Sequence, residues 1–563
     1  MIHTNKKHIT SFAVLVLGLI LLNVLSQHVY HRFDLTQDQR YTLSQAAKET
    51  IATVDSPMIV DVFLTGTFPP EFRRLQLETR QLLEEFAAYN PNITYEFIDP
   101  LEGEEDPAAI RQQLANFGLK AAQIEVREDG KISTELIYPW ALAYYKDKTV
   151  KIPLLKNQLG ATSEERVNSS IQNLEYAFAD GFNKLVFPKK RKVAVLKGNG
   201  QLDERYIADF FTTLREYYFI APFTLDSAAV NPKRTLEQLN GFDLIVSAKP
   251  QQAFTDSEKY ILDQYTMNGG ASLWLIDATE LQTDTISGKT IVFGTDLNLT
   301  DLFFKYGLRI NPNLVKDVYS APIVLATGSE NEAQYNRYPW FYNPLSASGS
   351  DHPITSNIEA VKFSYASAID TLPSRLEKTV LLSSSPITKI VGLPAEIDYD
   401  KEIPKNLQVV NEGPDPSEYT AGETPLAVLL EGSFPSAFTN RIKPFQLSED
   451  KTQSVPAKMV VISDGDVIVN QLDRNRPLEL GFDKMTNAFY GNKEFLLNTV
   501  NYLLDDSGLI NIRTKEIAVP FLDPQRTAEQ RGQWQLVNVL LPLVLLALFG
   551  VVFSYLRKRK YAR

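Results

Sequence analysis

LVNVLLPLVLLALFGVVFSYL, residues 536–556, is a run of 21 residues without a charge, and the rest of the chain is read outward from it. As a helix rising about 1.5 Å per residue it reaches about 31 Å, close to the ~30 Å hydrocarbon core of a bilayer. Fifteen of the residues are Leu, Val or Phe. The gross gain on insertion is on the order of −7 kcal/mol, from which Asn538, Pro542 and Ser554 subtract. Arg557, Lys558, Arg559 and Lys560 follow directly, within the tail 557–563. An apolar span followed by a basic tail reads as a stop-transfer helix with its C-terminal end in the cytoplasm. The rival reading, a buried core helix, fits poorly, because core helices seldom run this far without a charge.

A second run, Ile9 to Val29, mirrors the first and lies behind Lys6 and Lys7 in the segment 1–8. A cleaved signal peptide has a shorter apolar region, about 7–15 residues, with a small-x-small site behind it. Here the run ends in Ser26-Gln27-His28-Val29-Tyr30-His31, which offers no such site. Residues 9–29 are therefore read as an uncleaved anchor. With both basic ends in the cytoplasm, residues 30–535 lie together on the far side.

The charge distribution agrees. The chain has 57 basic and 68 acidic residues. Seven of the basic ones and none of the acidic ones lie in the two tails, which leaves 50 against 68 between the spans, a formal charge of −18. Such a surface does not favour nucleic acid or anionic lipid. The run Lys189-Lys190-Arg191-Lys192 reads as a solvated domain junction. The absence of cysteine removes disulfides, thiol catalysis and Cys-ligated metal. About 500 residues between the spans is too long for one core, so at least two domains are expected.

Residues 30–56 are a juxtamembrane segment with a short helix from Gln45 to Thr53, capped by Ser44. Residues 57–187 read as a small α/β domain. Met58–Leu64 and Ile93–Ile98 are strands, and between them Phe72, Leu75, Leu82, Leu83 and Phe86 fall at helical spacing. Pro107–Phe117 is helical with Gly118 as its C-cap, and Gln123–Arg127 and Leu136–Tyr145 are strands around the Asp129-Gly130 turn. Thr162 and Glu165 form a capping box for a helix with Val167, Ile171, Leu174 and Phe178 on one stripe. The order βαβαββα resembles the thioredoxin fold, but the loop where thioredoxins carry their redox pair holds Thr65-Gly66-Thr67-Phe68-Pro69-Pro70 and no Cys. Redox chemistry is thereby excluded.

Residues 188–508 form the second α/β domain. Strands at Lys192–Leu196, Ile220–Leu225, Leu244–Val246 and Ala271–Ile276 alternate with helices at Tyr206–Tyr218 and Asp256–Asn268, the pattern of a parallel sheet covered on both faces. An insertion with short strands, including Thr379–Ser384 and Leu426–Leu430, is expected over about 278–435. Lys458–Ile462 returns to the sheet, and Asn492 to Asp505 is a helix. Residues 509–535 are expected to form a stalk.

Groups for catalysis are sparse. Of five histidines, four (His3, His8, His28, His31) lie in or beside the first span, and only His352 lies in the soluble mass. A Ser-His-Asp site would have to use that loop residue, whose bland reading is a surface position. No HExxH, GxSxG, Walker A or paired-Cys motif is present, so no ATPase is expected; no metal and no cofactor are expected either, and a metal site of carboxylates alone stays compatible with the residues. One candidate binding stretch is Gly198-Asn199-Gly200-Gln201, which follows the first strand of the second domain; Ser247 and Asp277 close neighbouring strands on the same edge. In open α/β sheets ligands bind beyond the carboxyl ends of the strands. A ligand crest and a tight, solvent-facing turn are both compatible with the residues. Asn23 and Gln27 share one face of the first span, and Asn538 lies near an end of the second. Amides facing lipid are costly, which directs these three toward helices of a multi-span partner or toward the interface.

In its architecture the chain resembles the GldG family of gliding-motility-associated ABC-transporter auxiliary proteins of Bacteroidota. The likeness rests on Phe33-Asp-Leu-Thr and Arg40-Tyr-Thr-Leu-Ser44, on Gly66-Thr-Phe-Pro-Pro-Glu-Phe-Arg-Arg-Leu75, on Glu175-Tyr-Ala177, on Gly198-Asn-Gly200, and on Asp301-Leu-Phe-Phe-Lys-Tyr-Gly307, in that order. It implies a non-enzymatic inner-membrane subunit with a large periplasmic part, acting in gliding with a multi-span permease and a separate cytoplasmic ATPase. It also implies that the second domain is a glutamine-amidotransferase-like sheet without the catalytic Cys, shared with an intraflagellar-transport component. Two rivals remain at this level: a membrane-tethered periplasmic glycan- or peptide-binding protein using the Gly198–Gln201 crest, and an anchored hydrolase using His352.

Overall fold

The computed structural model describes residues 12, 14–20, 23, 42–66, 68–102, 106–128, 131–156, 160–284, 289–327, 334–347, 352–447, 449–505, 508–515 and 524–561. It divides into two units, 1–516 and 517–563.

In the α/β body of the first unit, Ser44, in extended conformation, accepts from the Ala47 amide with its side chain and caps α1 (Gln45–Ala52). Then come β1 (Met58–Val62), α2 (Pro70–Tyr89), β2 (Ile93–Phe97) and α3 (Pro107–Asn116). Pro70 and Pro107 open their helices, where a missing N–H costs nothing. Phe72, Leu75, Leu83 and Phe86 form the buried stripe of α2. The chain continues through β3 (Ala122–Glu128), β4 (Lys131–Ile137), β5 (Trp140–Tyr145), β6 (Lys148–Pro153) and α4 (Ser163–Val186). Four strands make one sheet in the order β2–β1–β5–β6, with β1 parallel to β2 and antiparallel to β5. The expected strand Leu136–Tyr145 is in fact two. Pro139 has no N–H for a ladder, and Trp140 N turns back to Tyr138 O at 2.8 Å, so β4 pairs with β3 as a separate hairpin. The strand β6 had no counterpart in the sequence reading, because its Lys-rich pattern buries only Ile152.

The second lobe of this unit begins with β7 (Lys192–Lys197), α5 (Glu204–Leu214), β8 (Phe219–Thr224), α6 (Pro232–Leu239), β9 (Leu244–Ala248), α7 (Asp256–Met267) and β10 (Ala271–Leu275). There follow a hairpin of β11 (Thr279–Asp284) and β12 (Lys289–Gly294), α8 (Thr300–Tyr306), β13 (Glu377–Ser383), β14 (Ala395–Asp398), α9 (Tyr399–Glu412), β15 (Pro425–Gly432), β16 (Ala457–Ile462) and α10 (Asn492–Leu504). Seven strands form the main sheet, in the order β13–β15–β16–β10–β9–β7–β8. The five from β16 to β8 are parallel, and β15 and β13 extend the sheet antiparallel. The runs expected at Thr379–Ser384 and Leu426–Leu430 thus belong to the main sheet rather than to an insertion. Leu426–Leu430 is fully buried, which only a two-faced central position satisfies.

Thr255 and Glu258 form a reciprocal capping box on α7, which is otherwise buried from Glu258 to Met267. Thr255→Ala should lower stability by about 1 kcal/mol, read as a lower urea midpoint with an unchanged slope.

After α10 the chain does not leave as a stalk. A 3-10 turn, Leu509–Thr514, returns to the first lobe, where Leu509 and Ile512 join the core of Leu43, Ala47, Ile51, Leu174 and Phe178. The apolar Leu509-Ile510-Asn511-Ile512 is buried at three of its four positions, and this burial holds the turn in place.

The second unit contains one long helix, α11 (Pro524–Tyr561), of 38 residues. Its segment Glu529–Lys560 is long and apolar enough to cross a membrane. Residues 524–535, the later part of the expected stalk, are the first turns of this helix. In the first apolar run, residues 14–20 are helical and exposed, and Gln27 lies outside the described residues.

Candidate functional site

The crest after β7 is built from three successive residues with positive φ: Gly198 at 86°, Asn199 at 49° and Gly200 at 68°. Gly200 is required by close approach, since a Cβ there would lie 2.9 Å from the Gln251 Cβ. The polar groups of the crest turn inward. Gln201 Nε2 donates to Ser247 Oγ at 2.9 Å, and its Oε1 accepts from Ala248 N at 2.7 Å. Asn199 O accepts from the Gln251 and Gln252 amides, each at 2.9 Å, and Asn199 Nδ2 donates to Glu258 at 3.3 Å. The structure therefore brings Gly198, Asn199, Gly200, Gln201 and Ser247 together as a cross-strand knot between the ends of β7 and β9.

Asp277 belongs to a different group on the same edge. Its Oδ1 accepts from Gly465 N at 2.5 Å, and Lys249 Nζ lies 3.1 Å from its Oδ2. Lys249 also pairs with Asp466. Asp464, fully buried, accepts from Ser364 N at 2.6 Å and Asp466 N at 2.7 Å. Burial, then the charges of Asp466 and Asp277, push the Asp464 carboxyl well above its usual range. Burial lowers the Lys249 ammonium, but the facing carboxylates of Asp466 and Asp277 outweigh it and hold it above its ordinary value. Lys249 sits at φ 54°, and a Cβ on Gly465 would lie 2.5 Å from Lys249 Cγ. Gly465→Ala should therefore displace Lys249 and cost about 1–3 kcal/mol, measurable as a lowered urea midpoint. Lys249, Asp464 and Asp466 were not singled out from sequence. A Lys directly after a buried strand and the Asp464-Gly465-Asp466 triplet one residue beyond another were the available signals.

His352 is held locally: its Nδ1 accepts from Ile354 N at 3.2 Å, and its ring packs edge-on to Tyr502 with centroids 4.7 Å apart. Among the described residues no group of three or more His, Asp or Glu is arranged to hold a metal.

The third group joins the start of α1 to the turn that follows α10. Glu175 of α4 is 4% exposed. Its Oε1 accepts from Ser44 N at 2.6 Å, and its Oε2 accepts from Lys515 Nζ at 2.7 Å. Lys515 Nζ also donates to Thr42 O at 2.8 Å. One carboxylate thus holds the residue that caps α1 and the last residue described before 516–523. A second cluster lies nearby. Arg513, one of whose guanidinium nitrogens donates to Glu494 at 2.6 Å, also reaches Ser356 O and Asn357 O at 3.2 Å and lies 4.9 Å from the Tyr176 ring centroid. Lys156 Nζ lies 3.0 Å from the same Glu494 oxygen. Lys156 belongs to the first lobe, Glu494 to α10 of the second, and Arg513 to the returning turn, so Glu494 ties three segments. Burial raises the Glu494 carboxyl, but Lys156 and Arg513 outweigh it and hold it below 4.5. Burial dominates at Lys156 and lowers its ammonium, despite Glu494.

These clusters describe an α/β chain with a membrane-length helix, whose entry and exit are locked to one body. The chain belongs to the family described as ABC-type uncharacterized transport system, whose model matches residues 190–499. It is thereby an accessory component of an ABC-type transport system. A second model, for a domain of unknown function (DUF7088), matches residues 37–144. An uncharacterized protein of Borreliella burgdorferi is 20% identical over 537 residues, covering 94% of each chain. A solved structure, the mmIFT52 N-terminal domain, aligns with 13% identity and a TM-score of 0.31 over 56% of this chain and 98% of its own.

Proposed function

We propose that this chain is a non-enzymatic subunit that couples an ABC permease and its cytoplasmic ATPase to a pair of periplasmic lobes. In this reading residues 9–29 and 536–556 are inner-membrane spans, both termini are cytoplasmic, and gliding on surfaces is the setting that the GldG resemblance supplies. The order β2–β1–β5–β6 supports a thioredoxin-like first lobe. The five parallel strands support an amidotransferase-like second lobe.

The observation that carries the reading is the Glu175 tie. Only 30–41 separates the first span from Thr42, and only 516–523 separates Lys515 from α11. Displacement of either span by partner helices is passed to a body in which entry and exit are held by the same carboxylate. Reconstituted with its permease and ATPase, the chain should change the ATPase rate, and Glu175→Ala should lose that change while still binding. An ATPase rate indifferent to the chain would sink the coupling role. Asn23, Gln27 and Asn538 are proposed as contacts with permease helices; replacing all three by Leu should weaken co-purification with the permease, and undiminished recovery would remove that contact.

The membrane-tethered ligand-binding alternative has one observation in its favour, an open cavity beside Asp277.

A further inference from the structure

Beyond β10 the chain surrounds a cavity of about 410 Å³. Its wall is apolar, formed by Leu297, Leu299, Phe303, Ile310 and Pro312. Phe303 is backed by Trp274, edge-on with centroids 5.6 Å apart, so this side is rigid. Its polar lining includes Asp277, Asp296, Asp301 and Arg309. The charges are unequally compensated. Asp301 is held by Lys259 and Arg441, and Arg309 pairs with Asp370. Asp277 shares Lys249 with Asp466. No cation among the described residues pairs with Asp296, an exposed carboxylate whose Oδ1 accepts from Asn298 N at 2.8 Å.

The cavity has the size of a small-ligand site and lies where ligands bind in open α/β sheets. Surplus carboxylate opposite an apolar wall selects an organic cation with a hydrophobic body. Asp277 is already oriented by Gly465 N and Lys249, so binding does not have to order it. We propose that this cavity binds an amine-bearing, apolar ligand, of the size of a short peptide, with the ammonium between Asp277 and Asp296 and the apolar part against Phe303 and Ile310. None of Gly198–Gln201 lines this cavity, so the ligand is not held by the knot, and its binding stands apart from the coupling role.

The test uses the full chain in detergent, by thermal shift and calorimetry, with three probes: the tripeptide amide Lys-Leu-Leu, the same peptide with both amines acetylated, and hexylamine. The proposal expects the charged peptide to raise the midpoint and the acetylated one not to. Asp296→Asn should weaken peptide binding about tenfold, and Thr295→Trp, which fills the cavity without changing charge, should abolish it. Hexylamine binding as tightly as the peptide would assign the site to simple amines and overturn the peptide-sized ligand. No shift with any probe, equal shifts with charged and acetylated peptide, or binding indifferent to Thr295→Trp would overturn the proposal as a whole.

Discussion

Glu494→Ala is expected to destabilise the first unit by about 3–5 kcal/mol, the range for removing one partner of a buried ion cluster. The arginine side chain facing it is 2% exposed and the lysine side chain 14%. With the carboxylate gone, the two cations lose the group that pairs them, and Arg513 keeps the Ser356 and Asn357 carbonyls and the Tyr176 ring. Because Glu494 joins the two lobes and the returning turn, urea unfolding should shift to lower concentration and separate into two transitions. Glu494→Gln keeps the shape and should recover only part of the loss. The pH dependence has a definite sign. A carboxyl whose folded value is depressed contributes stability that is fully present above its unfolded value, 4.5, and is lost as pH falls through the folded value. Wild type should therefore lose stability below about pH 4.5 more steeply than Glu494→Gln does.

Glu175→Ala has the second largest expected effect, about 3 kcal/mol, the low end of the range for removing one partner of a buried pair. The side chains of Glu175 and Lys515 are 5% and 19% exposed. The loss is local in a way that the first is not. Ser44 N loses its acceptor and Lys515 keeps only Thr42 O, so the start of α1 and the turn Leu509–Thr514 should open before the sheets do. Amide exchange at residues 43–51 and 509–515 should rise, while β7, β9 and β10 keep their protection. Uniform acceleration through both lobes would show that Glu175 acts on global stability and not as a tie between entry and exit.

Much of the fold was legible because it is local. The capping box Thr162–Glu165, the stripe Val167, Ile171, Leu174 and Phe178, and the strand-helix alternation from Lys192 to Ile276 depend on short-range patterning, and the structure has them. The strands β13 and β15 were seen as apolar runs, but their place in the main sheet is a long-range pairing that no window of sequence contains. The packing of 509–514, at the start of the expected stalk, is hidden from the sequence for the same reason. Leu509 and Ile512 are apolar residues after a helix, and only the fold shows that the first lobe has a gap for them. Of the candidate site residues, Gly198 to Gln201 were found through their turn chemistry, yet their polar groups are spent within the knot. Lys249, Glu494, Arg513 and Lys515 were missed, since charged residues are common and the partner makes each one distinctive. Glu175 had a visible signal: it is one of only two acidic residues between Ser169 and Lys184, on a helix that is buried nearly all round from Leu174 to Ala179.

The central claim is that the chain works as a subunit of an ABC transport complex. The most direct measurement is recovery of the detergent-solubilised protein from its native membrane, with mass spectrometry of what accompanies it. The account predicts a multi-span permease and an ATPase in amounts comparable to the chain. Recovery of the chain alone, or only with copies of itself, would contradict it.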